Sequence, residues 1–197
     1  MAIPGGDAPT PLAGLWELGE RSLRRASGSL TEMLGRPVHL TMFDIRSLRQ
    51  SGLAGLATDM GHGPMAGLRL QVLGQGDGCI LILLPVGTLY RLLDAVMGAP
   101  ATRRALGEVE RSAIQEVANV LASSFLSELG DALHRRLLPS APEMYLEHVP
   151  RMVRDAVGTI QALDDEVLVV RAALEDSKRQ ITGRFLAVLG LGTLAGC

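Results

Sequence analysis

Aromatic residues are scarce in this chain: one Trp, two Tyr and three Phe among 197 residues. That scarcity excludes a surface built on stacking bases or sugars, which needs several rings in series. Charge of one sign is also missing. Nineteen Lys plus Arg stand against 21 Asp plus Glu, a formal net charge of −2, which excludes a phosphate-neutralising nucleic-acid face as the main business. Long hydrophobic runs are absent too: Cys79–Val86 reaches eight residues and includes Pro85, whereas a membrane helix needs about 20. The two cysteines, Cys79 and Cys197, cannot form a disulfide framework and neither sits in a CxxC pair, so a reduced, cytoplasmic setting is expected. His39, His62, His134 and His148 are scattered, with no HExxH and no Walker sequence, so no metal ligand set or phosphate loop is expected.

What is plentiful is apolar side chain, 47% of the residues and ample for a core. Residues 1–11 are rich in Gly and Pro without a basic residue or an apolar run, and read as a disordered leader rather than a signal peptide. Residues 12–197 read as one domain. Leu12–Leu34 has helical spacing and stops at Gly35-Arg36-Pro37, and Val38–Ile45 alternates as a strand. Ser47–Gly63 is Gly-rich with room for a short helix. Leu68–Leu73 and Cys79–Leu84 flank a Gly-rich hairpin turn, and Leu89–Met97 is a short helix. The order then begins again. A helix is expected over Leu106–Leu138, broken near Pro139 and Pro142, then a strand over Met144–Val149 and a small helix over Val153–Val157. A second hairpin follows, from Val167–Leu174 and Ile181–Leu189. The repeat offset is roughly 95–100 residues, which predicts an α+β fold of two pseudo-repeated halves, about 12–100 and 101–190, around a shared sheet. Met33-Leu34-Gly35 and Glu128-Leu129-Gly130 serve as the matching points.

On a helical wheel starting at Ser112, Glu116 falls about 40° away, Asn119 about −20° and Ser123 about 20°. Apolar residues from Ala113 to Leu129 fill roughly 80° to 260°, so the polar stripe faces outward. A carboxylate and a carboxamide three residues apart are surface neighbours. Most such pairs are a solvated face. A sharper reading gives one group a cation to anchor and the other a water to orient, because an amide accepts from water and donates to a phosphoryl oxygen at once. Arg103-Arg104 reads as a solvated linker, Arg135-Arg136 as a complement to the helix dipole, and Asp164-Asp165-Glu166 as turn acidity.

Ser112, three residues, Glu116, two residues, Asn119, twenty-two residues and Pro142 resembles the signature of the CheC/CheX/FliY chemotaxis phosphatases. Length and repeat resemble CheC. The resemblance implies a cytoplasmic phosphatase that hydrolyses the aspartyl phosphate of a CheY-type response regulator. Glu116 would contact a regulator lysine and Asn119 would orient the water, with Ser112 and Pro142 shaping the site. Mg²⁺ would come with the regulator. The resemblance also implies a related motif in the first half. Matching Leu34-Gly35 to Leu129-Gly130 sets Glu17, Arg21 and Arg24 against Ser112, Glu116 and Asn119, which leaves that site lost and a single working one. The alternative is a non-catalytic CheC-like adaptor for a response regulator, the deamidase CheD or a flagellar switch component. A homodimer is an open possibility.

Overall fold

The computed structural model describes residues 11–57, 60–61, 63–98, 106–160 and 167–190. Residues 1–10 of the expected leader, His62, Arg103-Arg104, the acidic run 164–166 and Cys197 lie outside the described residues, while Pro11, expected to close that leader, opens the first helix instead.

The first helix, α1 (Pro11–Leu34), buries Leu18, Leu23, Ala26, Leu30 and Leu34 along one stripe. It ends where Gly35 takes a left-handed conformation at φ 62°, which costs glycine nothing. The chain then turns through Pro37 into strand β1 (Val38–Leu48). Two α1 hydroxyls hold that return: Thr31 Oγ1 accepts from Val38 N at 3.1 Å, and Ser27 Oγ accepts from Leu40 N at 2.8 Å. A 3₁₀ helix (Gln50–Ala57), the hairpin β2 (Pro64–Gly74) and β3 (Gly78–Leu84), and α2 (Val86–Met97) complete the first half. The second half runs α3 (Glu108–Leu133), β4 (Leu137–Pro139), β5 (Glu143–His148), α4 (Val149–Val157), β6 (Val167–Asp176) and β7 (Thr182–Gly190).

All strand pairs are antiparallel, in the order β1-β6-β7-β3-β2-β4, with β5 also on β2. The edge strands are exchanged. β1 of the first half pairs with β6 of the second, and β5 of the second pairs with β2 of the first. Swapping each strand of β1, β2 and β3 for its counterpart β5, β6 and β7 leaves the order unchanged. Two cation–π contacts repeat on the corresponding strands: the Arg69 guanidinium (β2) lies 5.2 Å from the Tyr145 ring (β5), and that of Arg171 (β6) lies 5.4 Å from the Phe43 ring (β1). The protein is thus α+β, with two related halves sharing one sheet. α1, α2 and α3 cover one face, where Phe125 of α3 meets Phe185 of β7 at a 5.1 Å centroid distance. α4 and the 3₁₀ helix cover part of the other. Among the described residues no helix is long and apolar enough to cross a membrane.

One expected element is shorter than its periodicity suggests. α3 ends at Leu133 rather than continuing to Leu138. His134 adopts the left-handed conformation, and Arg135 N closes the helix on Gly130 O at 2.9 Å. A Cβ on Gly130 would stand 2.5 Å from the returning Arg135 O, so glycine is what admits this turn. Leu137 and Leu138 then switch to the two-residue period of a strand, Leu137 buried and Leu138 exposed, opposite Gly74 and Leu73.

Candidate functional site

α3 carries the polar stripe. Glu108 and Glu110 in its first turn complement the positive end of the helix dipole. Its buried residues are Ile114, Val117, Ala118, Leu121, Ala122, Phe125, Leu126, Leu129, Gly130 and Leu133. Gly130 aside, that set spans roughly 140° to 320°, centred about 60° further round the wheel than the apolar arc drawn from sequence. Ala113 and Val120 are only half-buried. α1 lies against the side of α3 that carries Ser124, Glu128 and Asp131. Ser124 Oγ bonds Ser29 Oγ at 2.8 Å, Arg21 and Arg25 pair with Glu128 at 3.3 and 3.2 Å, and Arg25 reaches Asp131 at 3.4 Å.

The outer face of α3 remains open. Ser112 and Glu116 are exposed, and Asn119, at the border of the buried arc, is half-buried. Ser123 Oγ donates to Asn119 Oδ1 at 3.4 Å. Among the described residues, Glu116 has no ion-pair partner. Three residues apart on a helix, the carboxylate and carboxamide start from Cβ atoms about 5–6 Å apart and can be presented together. Pro142 does not join the stripe but sits on its flank. The Gln115 carboxamide nitrogen donates to the Pro142 carbonyl at 2.8 Å, tying the turn between β4 and β5 to the helix one residue from Glu116. Reasoning from sequence assigned no role to Gln115, and none to Ser123 beyond its place on the stripe. A Gln–Pro contact across 27 positions leaves no local signal, whereas Ser four residues after Asn is a detectable helical pair.

The first-half counterpart needs a correction. The matching point Leu129-Gly130 is not a helix end, since α3 runs one turn further, to Leu133. Matching the actual ends, Leu34 before left-handed Gly35 and Leu133 before left-handed His134, sets Glu17 against Glu116 and Glu20 against Asn119. The helix contacts agree with this register. Exchanging halves turns the Ser29–Ser124 contact into the Arg25–Glu128 contact, and both are present. Arg21 therefore does not stand in the acid's place; it is an ion-pairing residue between the helices. The first half keeps an acid at Glu17 but has Glu20 where the second has its amide. Glu17 and Glu20 are both exposed. An ionised carboxylate accepts but cannot donate, so it cannot span a water and a phosphoryl oxygen as an amide does.

No group of three or more His, Cys, Asp or Glu that could hold a metal ion occurs among the described residues. The cluster with clearly shifted acidity lies elsewhere, on the sheet face that α4 covers. There Tyr145 OH donates to Glu143, and Arg69 reaches both Glu143 and, at 2.8 Å, Tyr145 OH. The tyrosine hydrogen bond, then Arg69, holds the Glu143 carboxyl below the usual glutamate value.

The antiparallel sheet with helices on its faces is similar in fold to the CheC/CheX/FliY chemotaxis proteins. Along its sequence the chain is similar to the CheY-P phosphatase CheC of Bacillus subtilis strain 168, with 23% identity over 185 residues, 91% of this chain and 87% of CheC. In three dimensions it is similar to Thermotoga maritima FliY, with a TM-score of 0.68, 20% identity and coverage of 92% of this chain and 91% of that one. The FliM middle domain from H. pylori gives a TM-score of 0.63 at 9% identity, covering 97% of this chain and all of that domain (100%). No protein-family model matches the chain. The resemblance first carried by four residues of a motif thus extends over nearly the whole chain, in sequence and in fold.

Proposed function

We propose that this protein is a chemotaxis phosphatase that accelerates loss of the aspartyl phosphate from a CheY-type response regulator. The observation that carries the reading is the open outer face of α3, where Glu116 is exposed and stands three residues from Asn119, whose carboxamide is tied by one long bond within the helix. Similarity to CheC over most of the chain supports it.

In the proposed reaction α3 lies against the regulator's phosphorylation cleft. Glu116 is anchored by a regulator lysine, a charge-assisted contact that sets register. The Asn119 amide enters the cleft, its oxygen accepting from a water and its nitrogen donating to a phosphoryl oxygen. The water oxygen bonds to phosphorus as the phosphorus–oxygen bond to the aspartyl carboxylate breaks, leaving a free carboxylate and inorganic phosphate, which takes up the water proton. Positioning supplies the acceleration, since phosphoryl transfer leaves the protein little covalent chemistry to do. Mg²⁺ belongs to the regulator in this scheme, and the reaction is cytoplasmic.

The test is phosphate release from candidate regulators with and without the protein. The parent chain should accelerate release and Asn119→Ala should abolish the acceleration while leaving circular dichroism unchanged. Glu116→Lys should weaken binding to the phosphorylated regulator. A parent that binds the regulator yet leaves release unchanged would instead be a non-catalytic adaptor.

A further inference from the structure

Asn119 is oriented by a neighbour that the four-residue motif does not include. A serine inside a helix commonly turns its hydroxyl back onto the carbonyl four residues earlier. Ser22 and Ser27 of α1 do so, donating to Leu18 O at 2.9 Å and Leu23 O at 2.8 Å. Ser123 departs from that habit and donates to the Asn119 side chain, at Oδ1. The other carboxamide on this flank, Gln115, is committed to the Pro142 carbonyl.

An asparagine amide has an accepting end and a donating end of nearly the same shape, and rotation by half a turn exchanges them. Only a directional partner tells the ends apart. We propose that Ser123 is a positioning residue for Asn119, holding Oδ1 along the helix and turning Nδ2 outward. Oδ1 has two lone pairs, so one stays free for the attacking water while the other accepts from Ser123. This inference rests on the phosphatase reading above.

The experiment measures phosphate release over a range of concentrations of a regulator phosphorylated with a small acyl-phosphate donor. Ser123→Ala should lower kcat about three- to tenfold, the loss expected from one directional hydrogen bond, with KM unchanged within about twofold. Ser123→Thr, which restores the hydroxyl, should recover the parent kcat. An active parent whose Ser123→Ala variant matches it in kcat, or whose Ser123→Thr variant stays as slow as the Ala variant, overturns the positioning role and leaves the phosphatase reading standing. A parent without stimulated release overturns both.

Discussion

Replacing Asp176 with Ala should be among the costliest single changes outside the core. The Asp176 side chain has no exposed surface. Its Oδ1 accepts from the backbone amides of Gln180 at 2.6 Å and Ile181 at 2.9 Å, while Oδ2 takes the Arg36 guanidinium from the turn after α1. One carboxylate therefore closes the β6–β7 turn and pins the end of α1 to it. Breaking a buried ion pair on one side costs about 3–5 kcal/mol. The low end applies, because Arg36 keeps 30% of its side chain exposed and regains water on losing its partner. The remaining cost is the Ile181 amide, left without an acceptor in a buried position. About 3 kcal/mol is thus expected, or roughly 6–12 °C in Tm for a chain of this size. Asp176→Asn keeps an oxygen for the two amides but turns an NH2 donor toward Arg36, and should cost about 1–2 kcal/mol, for the lost Arg36 pair. Equilibrium urea unfolding followed by circular dichroism measures both. An Asp176→Ala variant within about 0.5 kcal/mol of the parent, or an Asn variant as damaging as the Ala variant, would refute the reasoning.

Three further outcomes follow from the geometry. In an NMR titration Glu143 should titrate below the usual glutamate value, and Tyr145→Phe, which removes the largest cause, should move it back up. Because the folded value is depressed, this carboxylate's contribution to stability is present above the ordinary glutamate value and lost as pH falls through the folded one. Cys79 is fully buried, and burial pushes its thiol up to about 12, so in a Cys197→Ser background a thiol reagent at neutral pH should leave the native protein unmodified and label it at once in urea; rapid native labelling would contradict the burial. Glu20→Asn should return part of the stimulated phosphate release to an Asn119→Ala chain, and no recovery would argue against the register that matches Glu20 to Asn119.

Much of the fold was legible in local patterns. α1 and its glycine stop, both hairpins and the alternation of β1 follow from apolar spacing and turn residues. What stayed hidden had specific physical causes. Leu133, Leu137 and Leu138 continue a helical spacing, so the end of α3 depended on a left-handed His134 and on Gly130 beneath the returning backbone, neither of which periodicity reports. The register between the long helices slipped by one turn because a four-residue shift turns a helix only about 40° and keeps apolar residues on the core side in either alignment. The stripe itself, Ser112, Glu116 and Asn119, was readable because spacing along a single helix fixes its geometry. Gln115 and Pro142 meet only through tertiary structure, and the exchange of edge strands between halves is a long-range pairing that no window of sequence contains.

That exchange bears on how the sheet assembles. Two unlinked copies of one half could build such a sheet only by meeting and trading strands, a second-order process that fails on dilution. Carried on a single chain, the same trade becomes first order, and the interlocked edges stay partnered however little protein the cell makes.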